Sequence, residues 1–167
     1  LQHLTATGNA SVVANGDITQ TGAISIGGTT AISSGVGNIT LTNVLNDFTG
    51  SVTASGADIS LRDANTLTLT GLTSTGQTSI TTNGDVTFGT TSVRGNIAVN
   101  SGNGNISQTQ TMGVSGSASF NAGTGSVALA DSTNVFGSAP QIQAASSNVS
   151  SGGPYNLASA LGTDPQK

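Results

Sequence analysis

Few side chains in this sequence are equipped for chemistry. It holds one histidine (His3), no cysteine, two arginines (Arg62 and Arg94), one lysine (Lys167) and seven acids, every one an aspartate. Acid–base catalysis at a glycosidic bond needs two titratable groups held a few ångströms apart. By sequence the candidates are Asp58, Asp63 and Asp85, with Arg62 and Arg94 as the cations, the set a carbohydrate-active enzyme or a calcium site would use. A Ser-His-Asp triad would have only His3 to draw on, close to the first residue. Gly35-Val36-Gly37, Gly102-Asn103-Gly104 and Gly123-Thr124-Gly125 look like fragments of phosphate loops, but no helix pattern follows to present its N-terminus, so they read as turns. Asp17, Asn38, Asp58, Asp85, Asn105 and Ser126 all occupy the same place in a recurring phrase, where a short polar side chain caps the turn into a strand. The expectation is no catalytic residue, no cofactor and no metal.

The elements that would position these residues follow from composition and periodicity. The 167 residues include 24 glycines, with 6% charged and 3% aromatic side chains. The absence of Glu disfavours helices, and the apolar runs fall short of a membrane-spanning segment. A net charge of −4 removes the electrostatic attraction on which nucleic-acid binding rests. No basic and apolar leader opens the sequence at Leu1-Gln2-His3-Leu4.

A short phrase recurs: Gly16-Asp17-Ile18-Thr19, Gly37-Asn38-Ile39-Thr40, Ala57-Asp58-Ile59-Ser60, Gly84-Asp85-Val86-Thr87, Gly104-Asn105-Ile106-Ser107 and Gly125-Ser126-Val127-Ala128. The anchors Ile18, Ile39, Ile59, Val86, Ile106 and Val127 recur every 20–21 residues, apart from one interval of 27 that implies an insertion around Asn65–Leu69. Such a period belongs to solenoids. Period-two runs such as Ala23–Ile26 and Thr66–Thr70 give about three short strands per period. The expected fold is all-β, a right-handed parallel β-helix of about 20–22 residues per coil and roughly seven to eight coils. A shift of 88 positions also aligns Ile18–Phe48 with Ile106–Phe136, pairing Gln20 with Gln108, Asn46 with Asn134 and Phe48 with Phe136, which reads as a super-repeat of four coils of about 22 residues. Residues 1–143 form the expected repeat domain. Residues 144–167, where the anchor fades and Pro154 and Pro165 appear, are expected to be a C-terminal tail or cap.

Gly16-Asp17-Ile18-Thr19, Asn46-Asp47-Phe48-Thr49-Gly50, Ala57-Asp58-Ile59-Ser60-Leu61 and Asn65-Thr66-Leu67-Thr68-Leu69 together resemble the repeat region of filamentous-haemagglutinin-like bacterial adhesins exported by two-partner secretion. The resemblance spans about residues 10–143. It implies a right-handed parallel β-helix in an exported stalk at the bacterial surface. The family's secretion domain carries Asn-Pro-Asn motifs, which are absent here, so the resemblance is to the repeats.

The expected function is therefore structural, a β-helical rod or stalk segment of an exported surface adhesin and not an enzyme. Its expected partners are neighbouring coils, other copies end to end, or a host or cell-surface glycan, with no nucleic acid and no membrane insertion. Its expected location is extracellular or on the bacterial cell surface. The alternatives are a self-assembling extracellular filament subunit and then an ice-binding solenoid. The Thr-X-Thr pairs at 19/21, 40/42, 66/68/70 and 109/111 suggest the last. The outward pair in other coils, Ser60/Arg62, Thr87/Gly89 and Ala128/Ala130, breaks that rank.

Overall fold

The structure is a computed structural model that describes residues 1–153. Alternating apolar and small polar residues between Gly- and Asn-rich corners make each segment a short strand with one side turned inward. The first coil is β1 (Leu4–Ala6), β2 (Ala10–Val13) and β3 (Ile18–Thr19), and the second is β4 (Ile24–Ile26), β5 (Thr30–Ser33) and β6 (Ile39–Leu41). The third holds β7 (Asp47–Phe48), β8 (Val52–Gly56) and β9 (Ile59–Arg62). The fourth is β10 (Leu67–Ser74) and β11 (Thr78–Thr81), and the fifth is β12 (Val86–Val93) and β13 (Ile97–Asn100). The two eight-residue strands β10 and β12 each run across a corner and serve two faces. The sixth coil is β14 (Ile106–Gln108), β15 (Met112–Val114) and β16 (Ala118–Asn121), and the seventh is β17 (Ser126–Leu129), β18 (Val135–Phe136) and β19 (Gln141–Gln143). Strand β20 (Ser146–Val149) follows.

Every strand pairing is parallel, and each joins one coil to the next. The result is a right-handed parallel β-helix of about seven coils with three faces and no helix among the described residues. The first face stacks β1, β4 and β7, and then the first part of β10, the first part of β12, β14, β17 and β20. The second face runs from β2 through β5, β8, β10, β12 and β15 to β18. The third runs from β3 through β6, β9, β11, β13 and β16 to β19. Coil lengths vary from 17 residues (Val52 to Leu69) to 22 (Ser119 to Gln141).

The core is a set of inward ladders. Ile18, Ile39 and Ile59 stack on the third face, and Leu67, Val86, Ile106 and Val127 stack on the first, all of them buried. Phe48, Phe88, Phe120 and Phe136 are fully buried, and the rings of Phe120 and Phe136 meet edge to face at 6.4 Å. Burying such side chains contributes about 1.5–3 kcal/mol each before conformational entropy is counted.

Two expectations are corrected. The six anchors are not one ladder: Ile59 is followed in its column by Thr78 and Ile97, whereas Val86 stacks on Leu67. The interval of 27 is therefore a change of face with no inserted loop, and Asn65–Leu69 is an ordinary corner leading into β10. The same phrase recurs on two faces because any corner entering a strand needs the same small polar residue followed by an inward β-branched one. Second, the 88-position shift carries β3 on the third face to β14 on the first, so the super-repeat is four coils plus one face. Beyond residue 143 the ladder continues, with Ser146–Val149 pairing in register with Ser126–Leu129. Residues 154–167, with Pro154, Pro165 and Lys167, lie outside the described residues.

Candidate functional site

Polar side chains form columns at the corners of the prism. Before the third face, Asn38 donates its backbone N–H to Asp17 Oδ1 at 2.8 Å, Asp58 donates to Asn38 Oδ1 at 3.0 Å, and Gln77 donates to Asp58 Oδ1 at 2.7 Å. Before the first face, Asn105 donates to Asp85 Oδ1 at 2.7 Å and Ser126 to Asn105 Oδ1 at 3.0 Å. Asn9 and Asn96 serve Thr29 and Ser117 in the same way. Capping of the residue's own turn was expected. The bonds instead span 19–21 residues and tie each coil to the next. They satisfy corner N–H groups at positions where the strand ladder is interrupted.

The acids singled out by sequence are not brought together. Asp58 and Asp85 are exposed on different corners, each accepting a backbone N–H from the coil above. Asp63 is buried where the first face is interrupted between β7 and β10. Its Oδ2 accepts the Phe48 N–H at 3.1 Å and its Oδ1 the Asn65 N–H at 2.9 Å. Burial raises its pKa above the ordinary carboxylate value, and the charge of Asp47 adds to this, against the lowering effect of the N–H bonds from Asn65 and Phe48. Arg62 lies half-buried on the third face beside Thr81, and its Nε is buried without a partner among the described residues. Arg94 is exposed just beyond β12, and His3 is exposed with Nε2 3.0 Å from Thr5 Oγ1. Among the described residues no group of three or more His, Cys, Asp or Glu could hold a metal ion.

A shallow depression of about 310 Å³ lies on the third face, bordered by Asp58, Ser60, Gln77, Ser79 and Asn96. Asp58 is the single titratable group at its border, so it offers hydrogen bonds without an acid–base pair. The outward row beside it runs Thr19, Thr40, Ser60, Ser79, Ala98 and Ser119. Thr87 and Ala128 belong to the first face, so the broken rank expected from the anchor phrase mixed two faces.

Sequence reasoning missed a paired amide clamp. Gln20 Nε2 donates to Asn46 Oδ1 at 2.8 Å, and Asn46 Nδ2 donates back to Gln20 Oε1 at 2.8 Å. Buried Asn46 also accepts the Ile24 N–H at 3.0 Å and donates to the Leu41 carbonyl at 3.1 Å. The same figure recurs 88 positions on: Gln108 and Asn134 exchange bonds of 2.8 and 2.7 Å, the Met112 N–H donates to Asn134 Oδ1, and Asn134 donates to the Leu129 carbonyl. The alignment had paired Gln20 with Gln108 and Asn46 with Asn134. It carried no sign that residues 20 and 46 meet across one coil.

Fold and surface together define a β-solenoid repeat protein whose polar side chains serve mainly to join coils. The family model for repeats of unknown function (DUF5649) matches residues 1–55 and 78–143, more than half of the chain, and the chain belongs to that family. No curated protein and no solved structure matches it.

Proposed function

We propose that the chain is a structural rod, a β-helical stalk segment of an exported bacterial surface adhesin. The observation that carries this reading is the use made of the polar residues: the exposed aspartates Asp17, Asp58 and Asp85 each accept a backbone N–H from the next coil, and the Asn46 and Asn134 clamps fix coil on coil. Side chains spent in this way extend a rod and leave little for turnover. Its outward rows of Ser, Thr and Asn suit a hydrated extracellular surface and a weak contact with a glycan. The test is antibody labelling of intact and of permeabilised source cells, together with attachment of a deletion strain to a glycan-coated surface. Label on intact cells and reduced attachment are the expected results. Label that appears only after permeabilisation would overturn export, and unchanged attachment would overturn the adhesin role.

A further inference from the structure

Asparagine is followed by glycine three times in the chain, at Asn15-Gly16, Asn83-Gly84 and Asn103-Gly104. In each pair the asparagine is exposed at a corner leading into a strand. Asparagine is a chemically labile residue, and a following glycine has no Cβ to keep its nitrogen from the asparagine Cγ. Closing that ring requires a side-chain amide free to turn and a glycine N–H that no acceptor holds. The fold treats the three pairs differently.

Asn83 and Asn103 stand on the same corner in successive coils, the first between β11 and β12 and the second between β13 and β14. The two corners differ in length by one residue. In the longer one, Gly102 turns the chain at φ 70° and the Gly104 N–H closes the turn on the Ser101 carbonyl at 3.0 Å. Asn103 Oδ1 accepts the Thr124 N–H of the next coil at 3.1 Å, which holds the amide. The corners at Ser34–Gly37 and Ala122–Gly125 close in the same way, with N–H to carbonyl distances of 2.9 and 2.7 Å. In the shorter corner Asn83 alone separates Thr82 from Gly84. The carbonyl three residues before Gly84 is that of Thr81, inside β11, and it accepts the Asp63 N–H at 3.0 Å. Among the described residues the Gly84 N–H therefore has no acceptor and the Asn83 amide makes no hydrogen bond. Gly84 is nevertheless held beside Asn83, because its carbonyl accepts the Thr82 hydroxyl at 2.6 Å, as that of Gly104 accepts the Ser101 hydroxyl. Asn15-Gly16 sits in a short corner too, but in the outermost described coil, whereas Asn83 has coils on both sides.

We propose that Asn83-Gly84 is a site of spontaneous deamidation, with water as the only co-reactant. The Gly84 nitrogen gives up its proton to solvent and attacks Asn83 Cγ. The new C–N bond closes a succinimide as the Cγ–Nδ2 bond breaks, and Nδ2 leaves as ammonia after taking up a proton. Water then opens the ring at Cγ to give aspartate, or at the main-chain carbonyl carbon to give isoaspartate. Either product puts a new carboxylate two residues from Asp85. Isoaspartate also lengthens the main chain by one methylene where Gly104 stacks so closely on Gly84 that a Cβ on Gly104 would lie 2.3 Å from the Gly84 carbonyl carbon. The lengthened corner cannot keep that stacking, and the coils loosen there. The site is a property of the solenoid and holds whether or not the rod belongs to an adhesin.

The test is to hold the full chain in warm, mildly alkaline buffer and follow amide-to-acid conversion at each pair by peptide mapping with mass spectrometry, separating aspartate from isoaspartate by chromatography. In the folded chain Asn83 is expected to convert at least tenfold faster than Asn103. In concentrated urea, where the corners are gone, the two are expected to convert at similar rates. Deleting Gly102 gives the upper corner the shorter length and is expected to raise the Asn103 rate toward that of Asn83; if thermal melting shows that this variant does not fold, the wild-type comparison decides. Asn83 converting no faster than Asn103 in the folded chain, or the same ratio persisting in urea, would overturn the proposal. The isoaspartate fraction, separated by anion exchange, is expected to melt below the unmodified chain, and equal melting would overturn the loosening.

Discussion

Removing the Asn46 side chain is the perturbation whose cost the structure defines best. Its amide makes four bonds: two with Gln20, one from the Ile24 N–H and one to the Leu41 carbonyl. In Asn46→Ala the half-exposed Gln20 amide can turn to water, so its two bonds are largely recovered. The Leu41 carbonyl keeps its place in the parallel ladder with β9, whereas the N–H of buried Ile24 is left unpaired. At about 1–3 kcal/mol for an orphaned buried group, the expected loss is about 1–3 kcal/mol. Asn46→Asp is a stricter probe, because it keeps the acceptor for Ile24 but puts a carboxylate against the Leu41 carbonyl, and its loss should be similar or greater. The assay is urea unfolding followed by circular dichroism, with the slope checked for loss of cooperativity, since repeat arrays can unfold in parts. Asn134→Ala should cost a comparable amount, and the double variant should be additive within about 0.5 kcal/mol because the sites are several coils apart. A change below about 0.5 kcal/mol in Asn46→Ala would refute the clamp as a source of stability.

Asp58→Asn and Asp85→Asn should each change stability by less than about 0.5 kcal/mol, because Asn38 and Asn105 already do the same work, whereas Asp58→Ala should lower the urea midpoint measurably. Asp63 gives a pH dependence of known sign. A carboxyl whose folded pKa is raised lowers stability above that pKa, so the wild-type midpoint should rise as pH falls from 7 toward the ordinary carboxylate value of 3.8, and Asp63→Asn should flatten that rise. Asp131, half-buried, acts in a different window. Bonds from the Thr133 hydroxyl and N–H, and then from Thr111, lower its pKa, so its contribution is lost only as pH falls below 3.8, and Asp131→Asn should remove that part of the acid limb. At Gly104 an added Cβ would lie 2.3 Å from the Gly84 carbonyl carbon, so Gly104→Ala should cost about 1–3 kcal/mol by thermal melting.

The solenoid was legible in the sequence because both of its periods are written in small residues. Gly and Asn mark the corners, and alternation such as Leu67-Thr68-Leu69 marks inward and outward sides. The face on which each phrase falls was not legible. Ile59 and Val86 sit in the same local grammar, and only pairing across coils separates the third-face ladder from the first. That also hid the one-face rotation of the 88-residue unit, since Ile18 and Ile106 are alike in sequence while occupying different faces. The corner position of Asp58 and Asp85 was correctly found, but their partners were not, because a bond to a backbone N–H about 20 residues away leaves no mark on residue type. The Gln20–Asn46 clamp was half visible as two conserved pairings in the super-repeat. The strand Ser146–Val149 was missed because Ser147 and Asn148 replace Ile59 and Ser60, weakening the alternation just where a proline follows.

If the chain is a rod whose length is set by the number of 88-residue units, duplicating residues 18–105 within it should extend the rod without altering its cross-section. The junction is seamless because Ile106 is the counterpart of Ile18. Four further coils and one face at about 4.8 Å each add about 21 Å. Small-angle X-ray scattering of the duplicated chain should therefore show the same cross-sectional radius and a long axis about 21 Å greater, with cooperative melting retained. A wider, shorter particle, or an inserted segment that scatters as unfolded chain, would contradict it.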